Sequence, residues 1–222
     1  MKLISVNIGL PREVIWKGRT VETGIFKEPV EGRVALRTLN LDGDRQADLS
    51  VHGGPDKAVY AYPVEHYNYW RAELPDMKLP WGMFGENFTT EGLEEGVVNV
   101  GDRFRIGSAE VIATQPRLPC YKLAIKFDRD DMIKRFLDSG RTGFYFAVLK
   151  EGEIGVGDEI ELLSRDRNEI SVADITRLYA RDKYDLEALR RAAQVEALPE
   201  SWRLYFLRRI KKIEGSTIAD DE

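Results

Sequence analysis

The chain contains one cysteine and two histidines in 222 residues. A lone cysteine excludes an intramolecular disulfide framework and an iron–sulfur cluster held by this chain alone. With only His52 and His66 beside Cys120, no spacing suits a structural zinc site. Basic excess is missing too. The formal net charge is −5 at pH 7, which argues against a nucleic-acid footprint, because sequence-independent binding needs a basic face to displace counterions. No apolar run approaches a membrane span, and Met1 to Gly9 is too short and polar for a signal-peptide core. There is neither a Walker loop nor a dinucleotide fingerprint. A cytoplasmic protein with no membrane partner is expected.

What is present is ordinary globular material, 43% hydrophobic and 32% charged, long enough for one large domain or for one domain plus a smaller appendage. Residues 2–8, 13–16, 33–39 and 58–62 read as short strands rich in Val, Ile and aromatics, the substance of a β-barrel or sandwich. Pro63 is placed to open a helix running to Glu73. Two Gly-Asp turns, Gly101-Asp102 and Gly157-Asp158, each precede an alternating strand and suggest equivalent corners of a barrel. Asp128 is suited to cap a helix over 129–138, with Gly140 beyond its end. From Ser171 the texture turns helical. Ser171 with Asp174 resembles a capping box, and Asp185 and Ser201 are suited to cap two further helices. Gly215 to Glu222 should fray.

Four stretches carry candidate chemistry. In Gln115-Pro116-Arg117-Leu118-Pro119-Cys120-Tyr121-Lys122-Leu123, two prolines stiffen the approach to the cysteine, and Arg117 and Lys122 favour a thiolate if they lie near it in space. A small buried hydrophobe is the competing reading of Cys120. In Val51-His52-Gly53-Gly54-Pro55-Asp56-Lys57, paired glycines let the backbone approach a ligand closely, though a plain Gly-Pro turn explains them equally well. Trp81 to Thr90 brackets an aromatic pair with glycines and adds Glu86 and Asn87, either a shaped loop or a turn capped by Asn87. Arg141 and Thr142 are ligand contacts or turn residues.

Together these stretches resemble the MOSC domain, found at the C-terminus of molybdenum cofactor sulfurases and also free-standing in bacteria, and within it the bacterial YiiM-type proteins. The carriers are Val51 to Val59, Phe84-Gly85-Glu86-Asn87-Phe88-Thr89-Thr90-Glu91-Gly92-Leu93, Gly101-Asp102, Gln115 to Leu123 and Thr142-Gly143-Phe144-Tyr145. The resemblance implies a mainly β fold: a MOSC-type β-barrel with a few helices over 1–165, a three-helix extension over 170–213 and an acidic tail over 214–222. It implies a molybdenum–pterin cofactor with Cys120 as the metal ligand. Gly53, Gly54, Lys57, Arg117 and Arg141 are then candidates for its phosphate, Asp56, Glu86 and Asn87 for its pterin, Thr142 as a further contact, and His52 as a proton donor. The implied reaction is reduction of N-hydroxylated compounds such as hydroxylamino-purines, hydroxylamines and amidoximes. No flavin, haem, iron–sulfur cluster or pyridoxal phosphate is expected on this chain, so electrons would come from a separate flavin or iron–sulfur reductase. Two alternatives use the same family: a sulfur carrier with a persulfide on Cys120, and a non-catalytic cofactor-binding protein.

Overall fold

The computed structural model describes residues 1–48 and 52–219. Its strands are β1 (Lys2–Ile8), β2 (Arg12–Trp16), β3 (Arg19–Thr23), β4 (Glu28–Pro29), β5 (Arg33–Leu36), β6 (Val59–Pro63), β7 (Phe88–Glu91), β8 (Arg103–Ile106), β9 (Ala109–Pro116), β10 (Phe144–Lys150), β11 (Gly152–Gly155) and β12 (Ile160–Ser164). The helices are α1 (Glu65–Glu73), α2 (Tyr121–Phe127), α3 (Met132–Ser139), α4 (Val172–Ala180), α5 (Leu186–Gln194) and α6 (Glu200–Ala219). One sheet of eight strands runs β12-β8-β9-β10-β6-β7-β1-β4, and β2–β3 and β5–β11 form separate pairs. The strand β1, next to one end of this sheet, approaches the residues before β12 at the other end without a continuous ladder: a single bridge joins Lys2 to Glu159, with Leu3 N–H donating to Asp158 O at 3.0 Å and Ile160 N–H to Met1 O at 2.9 Å.

The strand β6 is buried at all five positions, as a strand covered on both faces should be. Its alternation divides two cores. Val59 and Ala61 join the large core with Phe144 and Phe146 of β10, while Tyr60 and Tyr62 join an aromatic core with Trp70, Phe84, Phe127 and Phe136. In that second core Tyr62 stacks on Phe84 at 4.4 Å between ring centres. Helices α1, α2 and α3 therefore cover one side of the strand and the rest of the sheet the other.

The two Gly-Asp turns are equivalent in detail. Asp102 accepts from Asn99 N–H at 2.9 Å and Asp158 from Gly155 N–H at 2.9 Å, each three residues back. The strands that follow, β8 and β12, pair with each other. The Ser171–Asp174 capping box forms as expected, and Asp185 caps α5 through Ala188 N–H.

Several local expectations change. Pro63 ends β6, pairing in parallel with Thr90, so α1 starts two residues later. Asp128 adopts a left-handed φ of 50° and closes α2, and α3 begins only at Met132. The helix α6 starts at Glu200, ahead of Ser201, and stays helical through Ala219, past Gly215; Glu214 on its last part pairs with Arg190 at 2.6 Å. Val51 and the end of the expected tail, residues 220–222, lie outside the described residues. Among the described residues no helix is long and apolar enough to cross a membrane.

Candidate active site around Cys120

The strand β9 ends at Pro116, and Pro119 and the extended backbone of Cys120 (φ −123°, ψ 170°) carry the chain into α2. The cysteine is thus the residue preceding a helix, four positions beyond the strand end, and is half-buried. A helix here was not expected from the sequence, because the prolines dominate the local pattern. Leu123 N–H closes the first turn onto Cys120 O at 2.9 Å.

A second loop brings a histidine to the sulfur. His52 Nε2 lies 3.3 Å from Cys120 Sγ, and His52 N–H donates to Asp48 O at 2.9 Å. Its Nδ1 is buried without a hydrogen-bond partner among the described residues. Desolvation, reinforced by the charges of Lys122, Arg117 and Lys57, holds the His52 pKa below the usual histidine value, against the opposing pull of Asp48. The imidazole is therefore neutral at pH 7.

The pair opens onto a cleft of about 610 Å³, counting its mouth. Lys27, Arg45, Lys57, Arg117 and Lys122 line it, and no carboxylate does among the described residues. This concentration of five cations stands on a chain whose net charge is −5. Each is placed by a different element. Arg117 donates to Phe84 O and lies 4.5 Å over the Tyr60 ring. Tyr60 of β6 faces Tyr145 of β10 across the sheet, ring centres 5.4 Å apart. Lys27 makes a buried ion pair with Asp44, whose other oxygen accepts from Asn87 Nδ2 at 2.9 Å. Burial lowers the Lys27 pKa, and Asp44 works against the shift. Lys57 is likewise lowered by desolvation.

The sequence candidates thus separate into two groups. His52, Lys57, Asn87, Arg117 and Cys120 line one cleft. Gly53, Gly54, Asp56, Glu86, Arg141 and Thr142 are not among its lining residues. Gly54, at φ 95°, begins the turn Pro55–Lys57, and Asp56 O accepts from Thr114 Oγ1 at 2.7 Å and Gln115 Nε2 at 3.3 Å. Glu86 is fully buried and shapes its own loop, accepting from Tyr67 OH, Gly82 N–H at 2.8 Å, Phe84 N–H at 3.0 Å and Thr89 Oγ1 at 3.0 Å. Desolvation raises its pKa although these bonds oppose it. Arg141 lies 4.1 Å over Tyr69, and Thr142 O accepts from Tyr60 OH at 2.7 Å. The second histidine, His66, is 2.6 Å from Glu95 in a buried pair.

Lys27, Arg45, Tyr60 and Tyr145 were not legible as site residues. Lys27 sits in no motif and is recognisable only by its burial beside Asp44. The tyrosines read as strand aromatics.

Comparison with known proteins accounts for nearly the whole length. The MOSC domain family matches residues 48–161 and the YiiM-like 3-alpha helix domain family residues 170–212. The chain is 45% identical over 207 residues to uncharacterized protein YflK of Bacillus subtilis, covering 93% of each. It is 33% identical over 181 residues to a protein named "Reductase" of Gibberella moniliformis, covering 80% of this chain and 32% of that one. The crystal structure of YiiM from Geobacillus stearothermophilus superposes with a TM-score of 0.79 at 36% identity, covering 94% of this chain and 98% of that one. The chain belongs to the MOSC domain family and carries the YiiM-like three-helix domain behind it.

Proposed function

We propose that this protein is a molybdenum cofactor-dependent reductase of N-hydroxylated compounds, with Cys120 as the protein ligand to the metal. One observation carries the reading: a half-buried cysteine beside a neutral histidine in a cleft that five cations line and no described carboxylate does. MOSC domains are associated with molybdenum cofactor binding, and the reductase-named relative supports the redox class. The Lys2–Glu159 bridge supports reading the eight-stranded sheet as the family's barrel.

The residues fit the group. Among the described residues no cluster of three or more His, Cys, Asp or Glu is placed to hold a metal, so a metal bound at Cys120 must bring its other ligands, as a pterin dithiolene does. A thiolate is a soft donor suited to it. Lys57, Arg117 and Lys122 supply charge for a phosphate, and Asn87 an amide for a polar ring edge. When bound, the cofactor would supply two-electron chemistry at an N–O bond. The substrate takes up two electrons and two protons and yields the amine and water. Within the protein, His52 Nε2 lies 3.3 Å from Cys120 Sγ and, neutral at pH 7, is placed to take the thiol proton as the metal-binding thiolate forms. The electrons are assigned to a separate flavin or iron–sulfur reductase.

The test is the molybdenum and pterin content of wild type and Cys120→Ser purified from a cofactor-producing host, followed by turnover of a hydroxylamino-purine with a supplied reductase. Molybdenum in the wild type, strongly reduced in the folded variant, together with turnover, supports the reading. Absence of both metal and pterin from the wild type after reconstitution overturns it, and persulfide on Cys120 is then the species to measure.

A further inference from the structure

Among the polar connections between the C-terminal helices and the sheet, one leads toward the cleft. Trp202 of α6 is 8% exposed, and its Nε1–H donates to Gln115 Oε1 at 2.9 Å. Gln115, on β9 and 5% exposed, donates from Nε2 to Asp56 O at 3.3 Å. Asp56 is the middle residue of the turn Pro55–Lys57, whose Lys57 lines the cleft and which follows His52. The amide lies between a group that can only donate, the indole N–H, and one that can only accept, a carbonyl. Its orientation is therefore fixed by both neighbours.

The surroundings give this connection leverage. Gln115 pairs with Tyr145, a cleft residue, across β9 and β10, and is two positions before Arg117. Thr114 Oγ1 reaches the same Asp56 O at 2.7 Å but also Tyr145 O at 3.0 Å, and one hydroxyl hydrogen serves only one of them at a time. The indole is held in an aromatic cluster with Tyr179, Tyr205 and Phe206. The loop that carries His52 and Lys57 is thus anchored to a body outside the sheet.

We propose that Trp202 is a positioning residue, and that the three-helix domain holds the His52–Lys57 loop against Cys120 through the relay from Trp202 to Gln115 to the Asp56 carbonyl. The role assigned to His52 rests on the function proposed above; the relay itself is tested without any cofactor. Removing the indole N–H leaves Gln115 Oε1 buried and unpaired, frees the amide to turn, and loosens the loop.

The test uses the full chain and three variants: Trp202→Phe, which keeps an aromatic ring in the cluster; Gln115→Met, which removes both bonds at similar volume; and Leu189→Ala, which weakens the packing of α5 without touching the relay. Hydrogen exchange is followed over residues 52–57, and Cys120 alkylation by iodoacetamide as a function of pH. The relay predicts loop exchange faster by about fivefold or more in Trp202→Phe and Gln115→Met, with the histidine-dependent limb of the alkylation profile weakened. Leu189→Ala should lower the melting temperature and leave both readouts at wild-type values. If Trp202→Phe does not fold, Gln115→Met interrogates the same relay from its other side. Wild-type exchange and alkylation in the folded relay variants overturn the proposal, as does an equal response in Leu189→Ala. Molybdenum content enters none of these readings, so failure of the reductase assignment would be seen separately.

Discussion

His52 Nε2 stands 3.3 Å from Cys120 Sγ, although the two residues are 68 positions apart in the chain. With the proton role proposed above for the imidazole, substituting His52→Asn should slow alkylation of Cys120 at pH 7 by about tenfold with the fold retained. Stopped-flow or mass-spectrometric alkylation rates check this. Unchanged rates would show that the pair is a contact without chemical consequence.

The pH dependence follows from the direction of the His52 shift. Desolvation and three nearby cations lower its pKa in the folded protein, so the folded state takes up its proton at lower pH than the unfolded chain. The limb that His52 contributes to the alkylation profile should therefore lie below the usual histidine midpoint near 6.5. Stability should fall as pH drops through that value, because the unfolded state binds the proton first. Denaturation midpoints between pH 5 and 8, compared for wild type and His52→Asn, should show a smaller loss in the variant.

The Lys27–Asp44 pair is buried on both sides, at 7% and 0% side-chain exposure. Lys27→Met leaves a buried carboxylate whose remaining donors are Gly9 N–H and Asn87 Nδ2. A loss of about 3 kcal/mol is expected, since removing one partner of a buried pair strands the other charge. Urea unfolding measures it. The double variant Lys27→Met with Asp44→Leu should recover much of the loss if the stranded charge is its cause.

Lys126 has its pKa lowered to about 8, chiefly by desolvation. Its amine lies 4.8 Å from the Phe26 ring centre. At pH 8 about half the Lys126 side chains are neutral, whereas an ordinary lysine is almost wholly charged. Limited acylation at that pH, mapped by peptide analysis, should label Lys126 ahead of exposed lysines such as Lys134.

Gly143 has φ +64°, and a Cβ there would lie 2.4 Å from Ala61 O in the neighbouring strand. Its N–H donates to Glu95 Oε1 at 2.6 Å. Gly143→Ala should cost more than about 2 kcal/mol, since both the left-handed backbone and a backbone clash oppose it. A thermal melt within a degree of wild type would contradict this account of the Thr142-Gly143 motif.

Sequence alone determined the elements whose causes are local. The capping box at Ser171, the cap at Asp185 and the paired Gly-Asp corners depend on residues three positions apart, and short-range hydrogen bonds reveal themselves in order along the chain. The cysteine, His52, Lys57 and Arg117 were legible because each lies in a motif of unusual composition, and the motifs carried the family resemblance.

Tertiary structure decided the rest. The role of Pro63 depended on whether Thr90 would pair beside it, and the start of α2 on what packs over the proline-rich approach to Cys120. Glu86 and Asn87 are adjacent in sequence, yet one is engaged by its own loop, Tyr67 and Thr89 while the other reaches the cleft. Lys27, Tyr60 and Tyr145 become site residues only when β6 and β10 lie side by side and the loop after β3 folds over them. Charge density in a cleft, and the desolvation that sets its pKa shifts, are properties of distance and burial, which residue order specifies only through the completed fold.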